Sequence, residues 1–415
     1  MHRIVAAVDG SVHCFISRLG TLSLSAAAKE RVTMVVRRPR DRKQQILAAA
    51  GELFREHGYH NVSVAQVAAA VGITAPALYR HFKNKPDLLY AAVNAGIESL
   101  YDRVAGAEDL KTLITELAAS VSKRRGLSLL WQREARYLPD EQREEMRSTL
   151  KSAASRDAVL IRIERPDLDE EDSYLLAWAV IAVFNSVSSH RVSLPRRQME
   201  LLLVELADRA AYAELGRSEV KVVAATGHLP VVIPRRELLL TEAIRLFDER
   251  GYQAVNTEDI GEAAGTTGPN VYNHFDAKID LLISAVARGG ERRRLGVAQA
   301  LGAATGPEDA LSGLLAAHID FAINERHLIG LLISELDQLP DKFRRTCEQN
   351  QREYVALWVK MLEEVRPGLE SATARITVNA TLTVVENAVR IGRLRRRDDL
   401  SDRLFEIGCA LLLGA

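Results

Sequence analysis

The chain has 415 residues, enough for about two to four domains, with 55 Lys/Arg, 55 Asp/Glu and a formal net charge of zero. Apolar residues make up 47% and aromatic residues 5%; this excludes a disordered chain, and the Ala, Leu and Val content favours helix over strand. Three widely spaced cysteines (Cys14, Cys347, Cys409) suggest neither a disulfide framework nor a cysteine zinc site. No run of about 18 uncharged apolar residues suggests a membrane span.

Residues 1–33 are broken by Asp9 and His13 and carry no clean cleavage site, so a secretory signal is not expected. They are expected to be a disordered tail or an upstream extension, with Met34 as the biological start. From 34 onward the expected order is a first helix-turn-helix domain (34–89), a first larger helical domain (90–215) and a linker (216–234). A second helix-turn-helix domain (235–282) and a second larger helical domain (283–415) follow.

The division rests on a repeat. Residues 46–89 and 239–282 align without a gap at an offset of 193. Phe54, Gly58–Tyr59, Gly72, Pro76, Tyr79, His81–Phe82 and Lys85 map to Phe247, Gly251–Tyr252, Gly265, Pro269, Tyr272, His274–Phe275 and Lys278. In the first copy Ile46, Ala50, Leu53 and Phe54 mark a helix that Gly58 ends. Ser63 and Gln66 predict a capping box for a second helix carrying Val64, Val67 and Val71 and ending at Gly72. Thr74 is expected to cap a third helix that carries Leu78, Tyr79 and Phe82 and stops before Pro86. A fourth buries Leu88, Leu89, Ala92 and Val93. Two short helices about a glycine turn, with Ala68 allowing close approach, form a helix-turn-helix whose second helix enters the major groove.

The string Phe–x–x–x–Gly–Tyr, Ala–x–x–x–Gly, Leu–Tyr–x–His–Phe–x–x–Lys–x–x–Leu–Leu resembles the DNA-binding domain of TetR-type repressors. The resemblance implies an all-α chain of two tandem TetR-like units. Each would join a three-helix DNA-binding domain to a helical ligand-binding and dimerising domain, and the two would pack as an intramolecular pseudo-dimer. The later sequence agrees. Gly106–Asp109 matches Gly306–Asp309 at an offset of 200, Glu134 and Leu138–Asp140 match Glu335 and Leu339–Asp341 at 201, and Asn185 matches Asn387. Helices near 172–189 and 195–215 would then pack on those near 370–391 and 398–413.

The two recognition helices differ. One offers Thr74, Ala75, Ala77, Tyr79, Arg80 and His81; the other offers Thr267, Gly268, Asn270, Tyr272, Asn273 and His274. Arg80 suits guanine, whereas Asn270 and Asn273 suit adenine. The resemblance assigns Tyr79, Tyr272, Lys85 and Lys278 to phosphates, and Thr74 and Thr267 to capping and backbone contact. Ser63, Asn256 and Thr257, at the starts of the preceding helices, are further candidate DNA contacts. Residues 37–89 hold nine Lys/Arg against four Asp/Glu, a net +5; residues 230–282 hold five against nine, a net −4. A basic arm, Arg37, Arg38, Arg40, Arg42 and Lys43, precedes the first block; the second keeps Arg235 and Arg236 and has Asp276 where the first has Lys83. Since phosphate neutralisation supplies much of the affinity for DNA, the first unit is expected to dominate binding.

The expected function is a transcriptional regulator, by family default a repressor, released from an asymmetric double-stranded DNA operator by a small apolar, lipid-like effector. Double TetR-like chains resemble actinobacterial regulators of lipid uptake and use. Candidate effector contacts are Trp131, Arg133, Tyr137 and Trp178 in the first unit, and His318, Phe321, Glu335 and Trp358 in the second, within a mostly aliphatic lining. The alternative is a ligand-sensing scaffold whose acidic second unit no longer binds DNA. An enzyme is the weaker rival: the ten histidines form no metal-spaced cluster and no nucleophile or phosphate-loop motif is present. Glu170–Asp172 and Arg393–Arg397 are expected to be exposed helix ends. No cofactor, metal or membrane partner is expected; the compartment is the cytoplasm, at the nucleoid, and two chains could pair again.

Overall fold

The computed structural model describes residues 39–121, 130, 133–216 and 233–414, and among these every regular element is a helix. The first unit runs α1 (Pro39–His57), α2 (Val64–Ala70), α3 (Ala75–Tyr79), α4 (Lys85–Val104), α5 (Leu110–Val121), α6 (Asp140–Glu164), α7 (Glu170–Ser186) and α8 (Arg196–Ala211). The second runs α9 (Arg235–Arg250), α10 (Thr257–Ala263), α11 (Gly268–Val271), α12 (Lys278–Ala303), α13 (Pro307–Asn324) and α14 (Arg326–Ser334). It ends with α15 (Asp341–Val365), α16 (Ser371–Ala388) and α17 (Leu400–Leu413). Residues 1–33, Arg37, Arg38, Trp131 and most of the expected linker lie outside the described residues. No described helix is long and apolar enough to cross a membrane.

Local signals fall where the sequence puts them. Ser63 accepts from the Gln66 N–H at 3.2 Å, and the Gln66 side chain accepts from the Ser63 N–H at 2.7 Å, closing the capping box. Two expectations need correction. Thr74 and Thr267 occupy extended N-cap positions, but neither hydroxyl makes a capping hydrogen bond. The third helix ends at Tyr79, so Phe82 lies beyond it, and Asn84 caps α4 by accepting from the Asp87 N–H at 2.7 Å.

α7 and α16 form the centre. Neither carries a charge between Ser173 and Ser186 or between Ile376 and Val385. Both are buried on nearly every face, the signature of an interior helix. The polar side chains of α16 are satisfied within the helix: Thr381 donates to the Thr377 carbonyl at 3.0 Å and Thr383 to that of Asn379 at 2.7 Å. α7 packs along α16 and α8 along α17, with α6 and α15 outside them. Glu170, Glu171, Arg393, Arg395 and Arg396 are exposed as expected, but Asp172 and Arg397 are not. Arg397 pairs with Asp172 at 2.6 Å, both largely buried, and Arg393 pairs with Glu170 at 2.9 Å.

Candidate nucleic-acid interface and effector chamber

Each head packs α1–α3, or α9–α11, on the first turns of α4 or α12. Phe54, Val67, Leu78, Phe82 and Leu88 fill the first head; Phe247, Ile260, Val271, Phe275 and Leu281 occupy the repeated positions in the second. Burying these apolar side chains leaves the outer face of α3 or α11 to solvent. Tyr79 and Tyr272 are 51% and 53% exposed there. Ser63, Thr74, Arg80 and His81 are exposed, and Ala75 and Ala77 half-buried, so every member of the first set is accessible.

The second head is more self-engaged. Asn273 donates to the Asn270 amide oxygen at 2.6 Å, and Asn270 donates to the Thr266 hydroxyl at 2.8 Å. Asn256 caps α10, accepting from the Asp259 N–H at 2.7 Å. Thr257 and Gly268 are buried, which removes them as direct DNA contacts. Thr267 and Asn273 are exposed and His274 half-buried.

Lys85 and Lys278, assigned to phosphates by resemblance, and Arg42 of the basic arm with its counterpart Arg235 serve the fold in both copies. Arg42 donates to the Val71 carbonyl at 3.1 Å and its counterpart Arg235 to that of Ala264 at 2.8 Å, each holding the turn before the recognition helix. Lys278 donates to the carbonyls of Tyr252 and Val255, both at 2.9 Å, over the Tyr252 ring. Lys85 stands 4.2 Å from the Tyr59 ring centroid. Burial holds both lysines below the usual ammonium range. Lys43 is exposed, 6.0 Å from the Phe82 centroid. Arg40 lies in α1. The repeated Arg–Lys/Arg pair at 42–43 and 235–236 was the sequence signal for this structural role.

The units meet beside the heads. Glu335, fully buried, accepts from the Tyr252 N–H at 2.9 Å and pairs with Arg136 at 2.9 Å. Arg136 also donates to the Ser334 hydroxyl at 2.5 Å and carbonyl at 3.1 Å, while Arg133 pairs with Asp337. Glu134, the counterpart of Glu335, is also buried and accepts from the Tyr59 N–H. Burial raises both carboxyls and the arginines oppose it. Tyr137 stacks on Tyr59, with centroids 5.6 Å apart, and faces Gly251 of the other head. It is therefore a contact between heads, not an effector contact.

A cavity of about 1390 Å³ opens next to this junction. Trp178, Tyr174, Ile181 and Phe184 of α7 line it, with Leu100 and Tyr101 of α4. Its lining is not mostly aliphatic: Arg103, Arg136, Arg143, Arg147, Lys151, Arg326, Arg390 and Arg393 face it beside Asp248 and Glu249. Phe321, His318 and Trp358 do not line it. They are core residues, 3%, 2% and 0% exposed, with His318 accepting from or donating to the Tyr354 hydroxyl at 3.1 Å. In the aligned repeat His318, Tyr354 and Trp358 replace Ala118, Ala153 and Asp157, so the second unit fills with large side chains a region where the first has small ones.

Burial pushes His318 down to about 3. The unfolded chain takes up a proton near pH 6.5 that the folded chain refuses, so this contribution is complete above pH 6.5 and declines as pH falls. Burial raises the neighbouring Glu386 carboxyl, which acts in the opposite direction. The stability difference between wild type and His318→Asn is therefore expected to shrink by about 2 kcal/mol between pH 7.5 and 5.0. Urea unfolding at both pH values measures this; a constant difference would show that His318 titrates freely.

Two segments, residues 46–92 and 239–285, match the family model for bacterial regulatory proteins of the tetR family. The chain thus carries two matches to that family's model in tandem, one in each unit. Its relatives include the HTH-type transcriptional repressor KstR2 of Mycolicibacterium smegmatis, 32% identical over 31% of this chain and 64% of that protein. The HTH-type transcriptional activator FasR of the same organism is 34% identical over 21% of this chain and 40% of its own. The fatty acid metabolism regulator protein of Bacillus subtilis is 32% identical over 21% and 46%. The matched region thus spans less than two thirds of each of these relatives. The solved structure of the ketosteroid transcriptional regulator KstR2 of Mycobacterium tuberculosis aligns with 44% of this chain and 96% of its own, at 20% identity and a TM-score of 0.39.

Proposed function

We propose that this protein is a DNA-binding transcriptional regulator that represses from an operator with two unlike half-sites and is released by a small amphiphilic effector. The observation that carries the reading is the pair of helix-turn-helix heads in one chain, each with an accessible face on its recognition helix but with different side chains and opposite net charge. The halves of a pseudo-dimer pair within the chain, and each head reads one half-site. The relatives' names, a repressor, an activator and a fatty acid metabolism regulator, support transcriptional control and a lipid-related effector. The cavity suits an apolar body against Trp178 and Phe184 and an acidic group among the arginines. An effector works only by binding one head spacing more tightly than the other; Arg136 belongs to both the cavity wall and the head junction, and Asp248 and Glu249 bring α9 of the second head to the same wall.

A gel shift on the promoter region of the protein's own gene, at two salt concentrations, tests the reading. Lys83→Ala is expected to weaken binding and lower the salt slope by about one, and Asp276→Lys to steepen it by about one. Arg80→Ala is expected to cost about 1–3 kcal/mol and relax base preference in one half-site. Absence of a salt-sensitive complex would favour a ligand-sensing scaffold. Equal protection of a perfect inverted repeat in footprinting would count against two unlike half-sites.

A further inference from the structure

We propose that the interface between the two units is coded by charge for unlike units: a first unit accepts a second unit and rejects another first unit, and a second unit likewise rejects its own kind. The proposal rests on the reading that the units pair, and does not depend on DNA binding.

At the head end the repeat is aligned at an offset of 201, so Arg133, Glu134 and Arg136 correspond to Ser334, Glu335 and Asp337. The contacts are Arg133 with Asp337 and Arg136 with Ser334 and Glu335. Arg133 with Asp337 and Arg136 with Ser334 are reciprocal, each joining the first position of the motif on one unit to the last on its partner, the pattern of a two-fold isologous contact; Arg136 reaches Glu335 as well. Here the two sides are no longer equivalent. First against first would set Arg133 opposite Arg136 twice, crowding four guanidinium groups around two buried Glu134 carboxyls. Second against second would set Ser334 opposite Asp337 twice and leave two fully buried Glu335 carboxyls with no guanidinium. A buried charge stripped of its partner is among the more destabilising changes a fold can suffer.

The far end carries an independent element. Arg397 of the second unit, with its side chain 9% exposed, meets Asp172 of the first at 2.6 Å, and Arg403 stands 3.7 Å from the same carboxylate. In the α7–α16 alignment, which matches Asn185 to Asn387, Asp172 corresponds to Ala374. A second unit facing another second unit would therefore set Arg397 against alanine across the interface, leaving it only Asp399 of its own unit, at 2.8 Å. The polarity is reversed between the ends: the first unit supplies arginines at the heads and the carboxylate at the far end.

The test uses the full chain with a protease site inserted between residues 224 and 225, nicked after folding and examined by native mass spectrometry without DNA. Fragments in 1:1 unlike complexes are expected; recovery of like fragments together would overturn the proposal. In the intact chain, Asp337→Arg and Arg133→Asp are each expected to lower the melting temperature by about 2–5 °C. The double exchange is expected to recover at least half of the summed loss. A double variant no better than that sum would overturn the charge code. The milder set Asp337→Asn, Arg133→Gln and their combination gives the same coupling in chains that keep their shape. Because no DNA is present, failure to bind an operator leaves both readouts intact.

Discussion

Glu335→Ala is expected to lower folding stability by about 3–5 kcal/mol, measurable as a fall in the urea midpoint. Three losses coincide. Arg136, with its side chain 10% exposed, loses its 2.9 Å carboxylate partner. The Tyr252 N–H, at the left-handed end of α9, loses its acceptor. The nearby Lys278 ammonium loses the charge that offsets its burial. Glu335→Gln keeps an acceptor for Tyr252 and should restore part of the loss, whereas a loss below about 1 kcal/mol for Glu335→Ala would show that water replaces the carboxylate freely. Since this residue joins α14 of the sensor to the second head, the variant should also change head spacing, read as altered footprint length on operator DNA.

Gly261→Ala is expected to disorder the second recognition helix at a cost of about 1–3 kcal/mol. A methyl group at Gly261 would stand 2.6 Å from the Thr267 carbonyl carbon and 2.8 Å from the Gly268 nitrogen, both backbone atoms with no side-chain freedom to yield. The first head has Ala68 at the same position, 1% exposed, so α2 and α3 there already stand apart by a methyl group. Gly261→Ala should therefore abolish contacts to the second half-site while leaving the first protected. Unchanged protection of both half-sites, with a full amide-exchange profile for α10 and α11, would rule out so tight a crossing.

Much of the fold was legible because local signals repeat. Ser63–Gln66, Gly58, Gly72 and the run of apolar positions act within a few residues, and a duplicated block shows them twice. The accessible faces of the recognition helices followed from the same periodicity. The roles of Arg42 and Lys278 did not, because a basic residue near a recognition helix can face phosphate or a backbone carbonyl, and only the turn of the chain decides. His318 and Trp358 were candidates for an effector pocket for a related reason: periodicity places them inward, but inward positions line a cavity or fill it according to what stands opposite. Asp172 and Arg397 depart from the exposed helix ends around them because each is covered by a partner 225 residues away.

The opening repeat thus established two helical units, their head signatures and their unequal charge, all properties of residues close together in the chain. Tertiary structure decided which basic side chains remain open to solvent, that a cavity opens between the two units, and how Arg133, Glu134 and Arg136 meet Ser334, Glu335 and Asp337. Those outcomes depend on burial and pairing between distant segments, where removal from water makes one partner's presence matter by several kcal/mol and where no local pattern records the partner.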